Sequence, residues 1–130
     1  MSAALTLSVQ EGDLAVVRLP AGAAVPGWVP ADGFSSATRS AGDLSIVCAA
    51  AAVPADLGAP VERGWVRLEL QGPFEFHLTG ILASVLVPLA EAGVGIFALS
   101  TYDTDHVMVK DHQLDAAVAA LRRAGHHVRT

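Results

Sequence analysis

Residues 78–109 read LTGILASVLVPLAEAGVGIFALSTYDTDHVMV, and the folding of this stretch decides the fold of the chain. Thr79 as an N-cap and Gly93 as a C′ glycine bracket a helix over Gly80–Ala92. Ile81, Val85, Leu89 and Ala92 recur at helical spacing, while Leu82, Leu86 and Val87 fill much of the opposite face. Such a helix is expected to pack on a sheet and also against a second copy of some element. Pro88 offers no N–H, so the carbonyl of Ser84 loses its usual partner, which predicts a kink there or a carbonyl open to a ligand. Beyond the helix, Gly95–Leu99 reads as a strand, Ser100–Asp105 as a polar loop, and His106–Val109 as another strand.

Towards the C terminus, Asp111 is a candidate N-cap for a second helix. Leu114, Ala117, Val118 and Leu121 supply its apolar stripe, Gly125 ends it, and His126–Arg129 reads as a closing strand. Upstream, Trp65–Leu70 alternates, with Trp65, Arg67 and Glu69 on one face and Val66, Leu68 and Leu70 on the other. The second half is thus strand, helix, strand, strand, helix, strand, an order that puts two helices on one face of an antiparallel sheet.

The first half is more broken. Leu5–Val9 and Leu14–Leu19 read as an antiparallel pair or one long bent strand, and Pro20–Pro30 is too rich in proline and glycine for a long helix. Phe34–Thr38 and Leu44–Cys48 form a hairpin around Gly42, and Ala49–Gly64 is a connector. The hairpin repeats the later one: Phe34 and Asp43–Val47 align with Phe97 and Asp105–Val109 if one residue is inserted in the first loop. The expected fold class is α+β: two ferredoxin-like βαββαβ units in tandem, residues 1–60 and 61–130, the first with degenerate helices.

Composition narrows the function. A net charge of -5 with eight scattered Lys and Arg argues against a nucleic-acid surface. The single cysteine, Cys48, lies in an apolar run and reads as a buried thiol in a reducing cytoplasm. Met1–Ala4 lacks the basic start of a signal peptide. Residues 80–99 approach the length of a membrane span, but Glu91 would sit near mid-bilayer at a cost of ~3 kcal/mol, so no membrane segment is expected. The apolar surplus points instead to a homodimer.

The repeat, the segment Pro88-Leu89-Ala90-Glu91-Ala92-Gly93-Val94, and the loop Ser100-Thr101-Tyr102-Asp103-Thr104-Asp105 before an apolar strand resemble the tandem ACT-domain proteins related to CASTOR-type arginine sensors. That resemblance, weak before Trp65 and good from Gly72 to Leu121, implies two ACT units per chain and a non-enzymatic sensor. A free amino acid would sit where ACT units meet. Carried over by position, the binding residues are Thr79, Gly80, Ile81, Ser84, Val85, Thr101, Tyr102 and Asp105. Phe74–Leu78 departs from the sensors, so ligand identity does not carry over.

Physically, a helix start offers unpaired N–H groups to a carboxylate, and Gly80 lets a ligand approach. Thr79 as a mere N-cap and Gly80 as a mere packing glycine fit the sequence too. Asp103 and Asp105 suit an ammonium or guanidinium, or simply bond to nearby backbone. Asp-x-Asp alone is too thin for a metal, no two histidines pair at helical spacing, and His126 and His127 diverge on a strand. No nucleophile motif or glycine-rich phosphate loop stands out, so neither catalysis nor a cofactor is expected. Two readings lead, an amino-acid-binding regulator and a structural or interaction protein whose cleft is filled by its own side chains; an enzyme with Asp103 or Asp105 as base ranks last, since no second chemical group has a predictable place beside them.

Overall fold

The computed structural model describes residues 4–74 and 78–130, and the chain divides into two compact units. One unit is Gly12–Trp65; the other joins the stretch ending at Glu11 to Val66–Thr130. The chain order is β1 (Thr6–Val9), β2 (Leu14–Leu19), β3 (Ser36–Arg39), β4 (Leu44–Ala49), β5 (Val61–Leu70), α1 (Ile81–Glu91), β6 (Phe97–Ser100), β7 (Asp105–Lys110), α2 (Leu114–Arg123) and β8 (His127–Arg129). The fold is α+β with ferredoxin-like strand orders, as the alternation and the two amphipathic helical stretches predict.

In the Gly12–Trp65 unit the order is β3-β4-β2-β5, all antiparallel, β5 entering through residues 61–65. This is the 2-3-1-4 order of a βαββαβ unit, with irregular crossovers where the helices belong. Ala15, Val17 and Leu19 alternate on β2 and meet Cys48, Ile46 and Leu44 of β4, so one face is wholly apolar. Trp28 and Val29 from one crossover and Ala50, Val53 and Leu57 from the other cover it. Single hydrogen-bonded turns, Pro20 to Ala23 and Pro26 to Val29 in one crossover and the 3-10 turn Ala50–Ala52 and Pro54 to Leu57 in the other, stand where the helices would be. Cys48 is fully buried, and that burial pushes its thiol pKa up.

The other unit has β6-β7-β5 on one side, and on the other β5 pairs with β1 and β1 with β8. Here the expectation for the N terminus is corrected. β1 and β2 form neither a hairpin nor one bent strand, because β1 runs antiparallel to β5 (Leu7 opposite Leu70) and parallel to β8 (Leu7 opposite Val128). The strand is thus an insertion between the first and last strands of the later βαββαβ unit. Leu7, Leu68, Leu70, Val107 and Val109 share the sheet face covered by Val85 and Leu89 of α1 and Ala117, Val118 and Leu121 of α2.

Three local readings also change. Strand β5 begins at Val61, four residues early, since Gly64 takes φ 80° where the pairing with β2 shifts register. The glycine marks a bulge inside a strand rather than a connector. Thr79 does not cap α1: the N-cap is Gly80, without a side-chain bond, and likewise Asp111 opens a 3-10 turn while Gln113 precedes α2. Finally, Leu82 and Leu86 pack on the core of their own unit, leaving Val87 (54% exposed) as the open apolar residue of that face.

Both helices do end as their glycines predict. Gly93 N–H reaches Ala90 O at 3.0 Å and Val94 N–H reaches Leu89 O at 2.9 Å; Gly125 and His126 repeat the pattern on Arg122 and Leu121. With Gly93 at φ 73° and Gly125 at φ 98°, these are two Schellman ends.

Candidate functional site

Gly80 at φ 77° turns the chain into α1, and a β-carbon there would have nothing within 4 Å. It serves backbone conformation beside open space, not close packing. Ser84 N–H closes the first turn on Gly80 O at 3.0 Å, leaving the N–H groups of residues 81–83 at the mouth of the helix. Alongside lies a cavity of about 470 Å³ lined by Thr79, Gly80, Ile81, Ser84, Glu91 and His126 among others.

Ser84 and His126 correct one expectation. The carbonyl freed by Pro88 is not open to a ligand, because Nε2 of the buried His126 lies 2.8 Å from it. Nδ1 of the same ring accepts the N–H of Leu5 at 3.0 Å, which makes Nε2 the protonated nitrogen and the donor to Ser84. One imidazole thereby ties α1 to the residue before β1. Sequence reasoning missed this role, although a proline four residues past Ser84 signals a carbonyl needing a donor. The Ser84 hydroxyl donates back to Ile81 O at 2.7 Å.

The loop between β6 and β7 forms a second cavity, about 200 Å³, with Phe74, Leu78, Ile81, Ser100, Thr101, Tyr102, Asp103, Thr104 and Asp105 on its walls. Ile81 lines both cavities, so the helix start and the acidic loop share a wall. Of the eight expected positions, Thr79, Gly80, Ile81 and Ser84 meet in the first cavity and Ile81, Thr101, Tyr102 and Asp105 in the second. Val85 joins neither: it is fully buried in the core, on the side of α1 turned away from the cavity that Ser84 and Pro88 line. Glu75–His77, within the stretch that departs from the sensors, lie outside the described residues.

The loop is held by its own backbone and hydroxyls. Thr101 N–H reaches Thr104 O at 2.9 Å, the Thr104 hydroxyl donates to Leu70 O at 2.7 Å, and Phe74 N–H reaches Asp103 O at 2.8 Å. A β-carbon on Gly72 would stand 3.0 Å from Asp103 O and 3.1 Å from Thr104 Cβ, so that glycine is required for the loop to seat. The Ser100 hydroxyl donates to Asp105 Oδ1 at 2.5 Å. Behind the loop a third cavity, about 390 Å³, is lined by Glu69, Gly72, Thr101, Asp103, Thr104 and His106 among others.

Comparison with known proteins places this geometry. The ACT domain model matches residues 61–123. That segment is an ACT domain. A separate model of an N-terminal domain matches residues 12–56. A crystal structure of an Agobacterium tumefaciens protein is 39% identical, covers 98% of this chain and 93% of that one, and superposes with a TM-score of 0.90. The aspartate kinase of Clostridium acetobutylicum shares the fold (TM-score 0.66, 10% identity), covering 91% of this chain and 34% of the kinase. The bovine protein named cytosolic arginine sensor for mTORC1 subunit 1 is 32% identical over 75 residues, 54% of this chain. That match spans 23% of the bovine protein's length. Within the ACT domain no described helix is long and apolar enough to cross a membrane.

Proposed function

We propose that this ACT-domain chain is a non-enzymatic regulatory protein that binds a small molecule, an amino acid, in the cleft where the start of α1 meets the β6–β7 loop. The observation that carries the reading is the shared wall at Ile81, which sets unpaired helix N–H groups and the Asp105 carboxylate around adjoining cavities. Such a pair matches the two charges of a zwitterion: the helix start takes the carboxylate and Asp105 the ammonium. Thr79, Gly80, Ile81, Ser84, Thr101, Tyr102 and Asp105 are the proposed contacts. Val85 acts through packing beneath them. The likeness to a named arginine sensor supports an amino acid as the ligand class.

In this reading two chains associate in the cytoplasm and the ligand is completed by contacts from a second ACT domain. Leu78 (46% exposed) and Tyr102 (80% exposed), one from each side of the smaller cavity, are the apolar surface such a partner would cover. Ligand bound across that contact shifts assembly or the affinity for a regulated protein.

A second reading, an interaction protein with no free ligand, draws on the internal bonds of Ser100 to Asp105 and His126 to Ser84. A thermal-shift screen with the common L-amino acids separates the two. A ligand at ~100 times its dissociation constant stabilises by roughly 2.7 kcal/mol, several degrees for a chain of this size. A response lost in Asp105→Ala supports the regulator; no response to any amino acid favours the interaction protein.

A further inference from the structure

Asp105 and His106 are successive residues of β7, so the carboxylate of the proposed cleft and a buried imidazole point to opposite faces of one strand. His106 Nδ1 lies 3.1 Å from Arg67 Nη1 and 3.7 Å from Glu69 Oε1, while Arg67 Nη1 is 2.7 Å from the same Glu69 oxygen. A guanidinium only donates, so Nδ1 is a lone-pair acceptor and the ring is neutral. The charged groups facing it are Arg67 and Glu69 of β5 and Asp103 across the cavity they share, with Asp105 next to it in its own strand but on the opposite face; β6 places Leu99 opposite. Burial first, and then Arg67, hold the imidazole pKa below its ordinary 6.5, against the pull of Glu69 and Asp105. Thr101, Asp103 and Thr104 line both the cavity containing Ile81 and the one containing His106, so the loop is a common wall.

We propose that His106 makes the cleft proton-sensitive: a proton on Nδ1 turns its hydrogen bond with Arg67 into repulsion between two cations and displaces the start of β7 with the loop it carries. This inference rests on the β6–β7 loop being the ligand site. An ammonium held by Asp105 opposes a positive charge one residue away, so ligand uptake and protonation of His106 exclude each other. Affinity therefore falls as the pH drops, by up to about tenfold per unit.

The first test needs no ligand. Because the folded value lies below 6.5, the unfolded chain takes the proton first; the contribution to stability is complete above 6.5 and lost as the pH falls through the folded value. Wild type should lose more melting temperature between pH 7.5 and 5.5 than His106→Gln, and an NMR titration of unmodified protein should give a His106 midpoint below 6.5. Arg67→Gln should raise that midpoint. Parallel melting curves, or a midpoint at or above 6.5 in wild type, overturn the proposal.

The second test uses each common L-amino acid as probe. Any that binds wild type at pH 7.5 should bind several-fold more weakly at pH 5.5, with the loss absent in His106→Gln; equal loss in both overturns the linkage. Binding by none rejects the ligand reading alone; the loop claim is then upheld if the amides of residues 101–104 shift with the His106 midpoint in wild type and not in His106→Gln, and overturned if they stay still in both.

Discussion

The two hairpins, β3–β4 and β6–β7, are the same device in two settings. Each joins its strands by four residues, 40–43 and 101–104, and the first N–H of the loop reaches the last carbonyl at 2.9 Å in both. In the first, Asp43 takes hydrogen bonds from Ser40 on one oxygen and Ser45 on the other, which hold its carboxyl pKa below 3.8. In the second, the carboxylate has moved one position on, to Asp105, where Ser100 engages one oxygen and the loop edges a cavity shared with a helix start. Irregular crossovers cover the core in the first unit, so its hairpin has no helix mouth in its own unit to work with. In the proposed reading, what sets the second hairpin apart is the helix start beside it, not its own acidity.

Substitutions should separate the units by size of effect. Leu89→Ala, which empties a fully buried site under α1, is expected to cost about 2–5 kcal/mol in urea denaturation. Trp28→Ala, in the partly open crossover of the other unit, should cost less; the reverse order would contradict the division into a helix-covered and a loop-covered core. His126→Leu leaves Ser84 O and Leu5 N–H without their partner, for a loss of roughly 2–4 kcal/mol. Adding Pro88→Ala restores an N–H to Ser84 and should recover part of it, whereas simple additivity in the double-mutant cycle would refute the bridge. Gly72→Ala should cost about 1–3 kcal/mol by pushing on Asp103 and Thr104, and should weaken ligand binding as well.

The smallest effect belongs to Asp43→Asn. Its lowered pKa means the stabilisation is present above about 3.8 and disappears as the pH falls through the folded value, so wild type and variant should melt apart at pH 5 and draw together as the pH is lowered below 3.8. A changed ligand response in this variant would erase the contrast between the hairpins.

Most of the architecture was legible because periodicity is local. The Schellman glycines Gly93 and Gly125, the alternation in β5 and the stripe of α2 each follow from neighbours in sequence. The repeat was read out of register, by two residues at Phe34 and by one at Asp43. Ala37 pairs with Ile46 and Ala98 with Val107, an offset of 61 with equal loops, whereas aligning Asp43 to Asp105 is an offset of 62. That slip would set Ser45 against core Val107, and one residue reverses every face of a strand. Pairing partners are not local, so the place of β1 between β5 and β8 left no trace in its own alternation. At the site, the helix start and the loop were brought together by the family resemblance, which set them where ACT units meet; here they share a wall at Ile81 within one unit. The His126 bridge did not, because it joins residues 42 and 121 apart in sequence.

The central claim is that the cleft belongs to the β6–β7 hairpin and not to its twin. Backbone NMR of the isotope-labelled chain, titrated with the amino acid that raises its melting temperature most, tests it directly. Shifts should concentrate at Thr79–Ser84 and Thr101–Asp105 and leave Ser40–Asp43 unmoved. Shifts centred on residues 40–43, or saturable binding that spares both the helix start and the Asp105 loop, would contradict it.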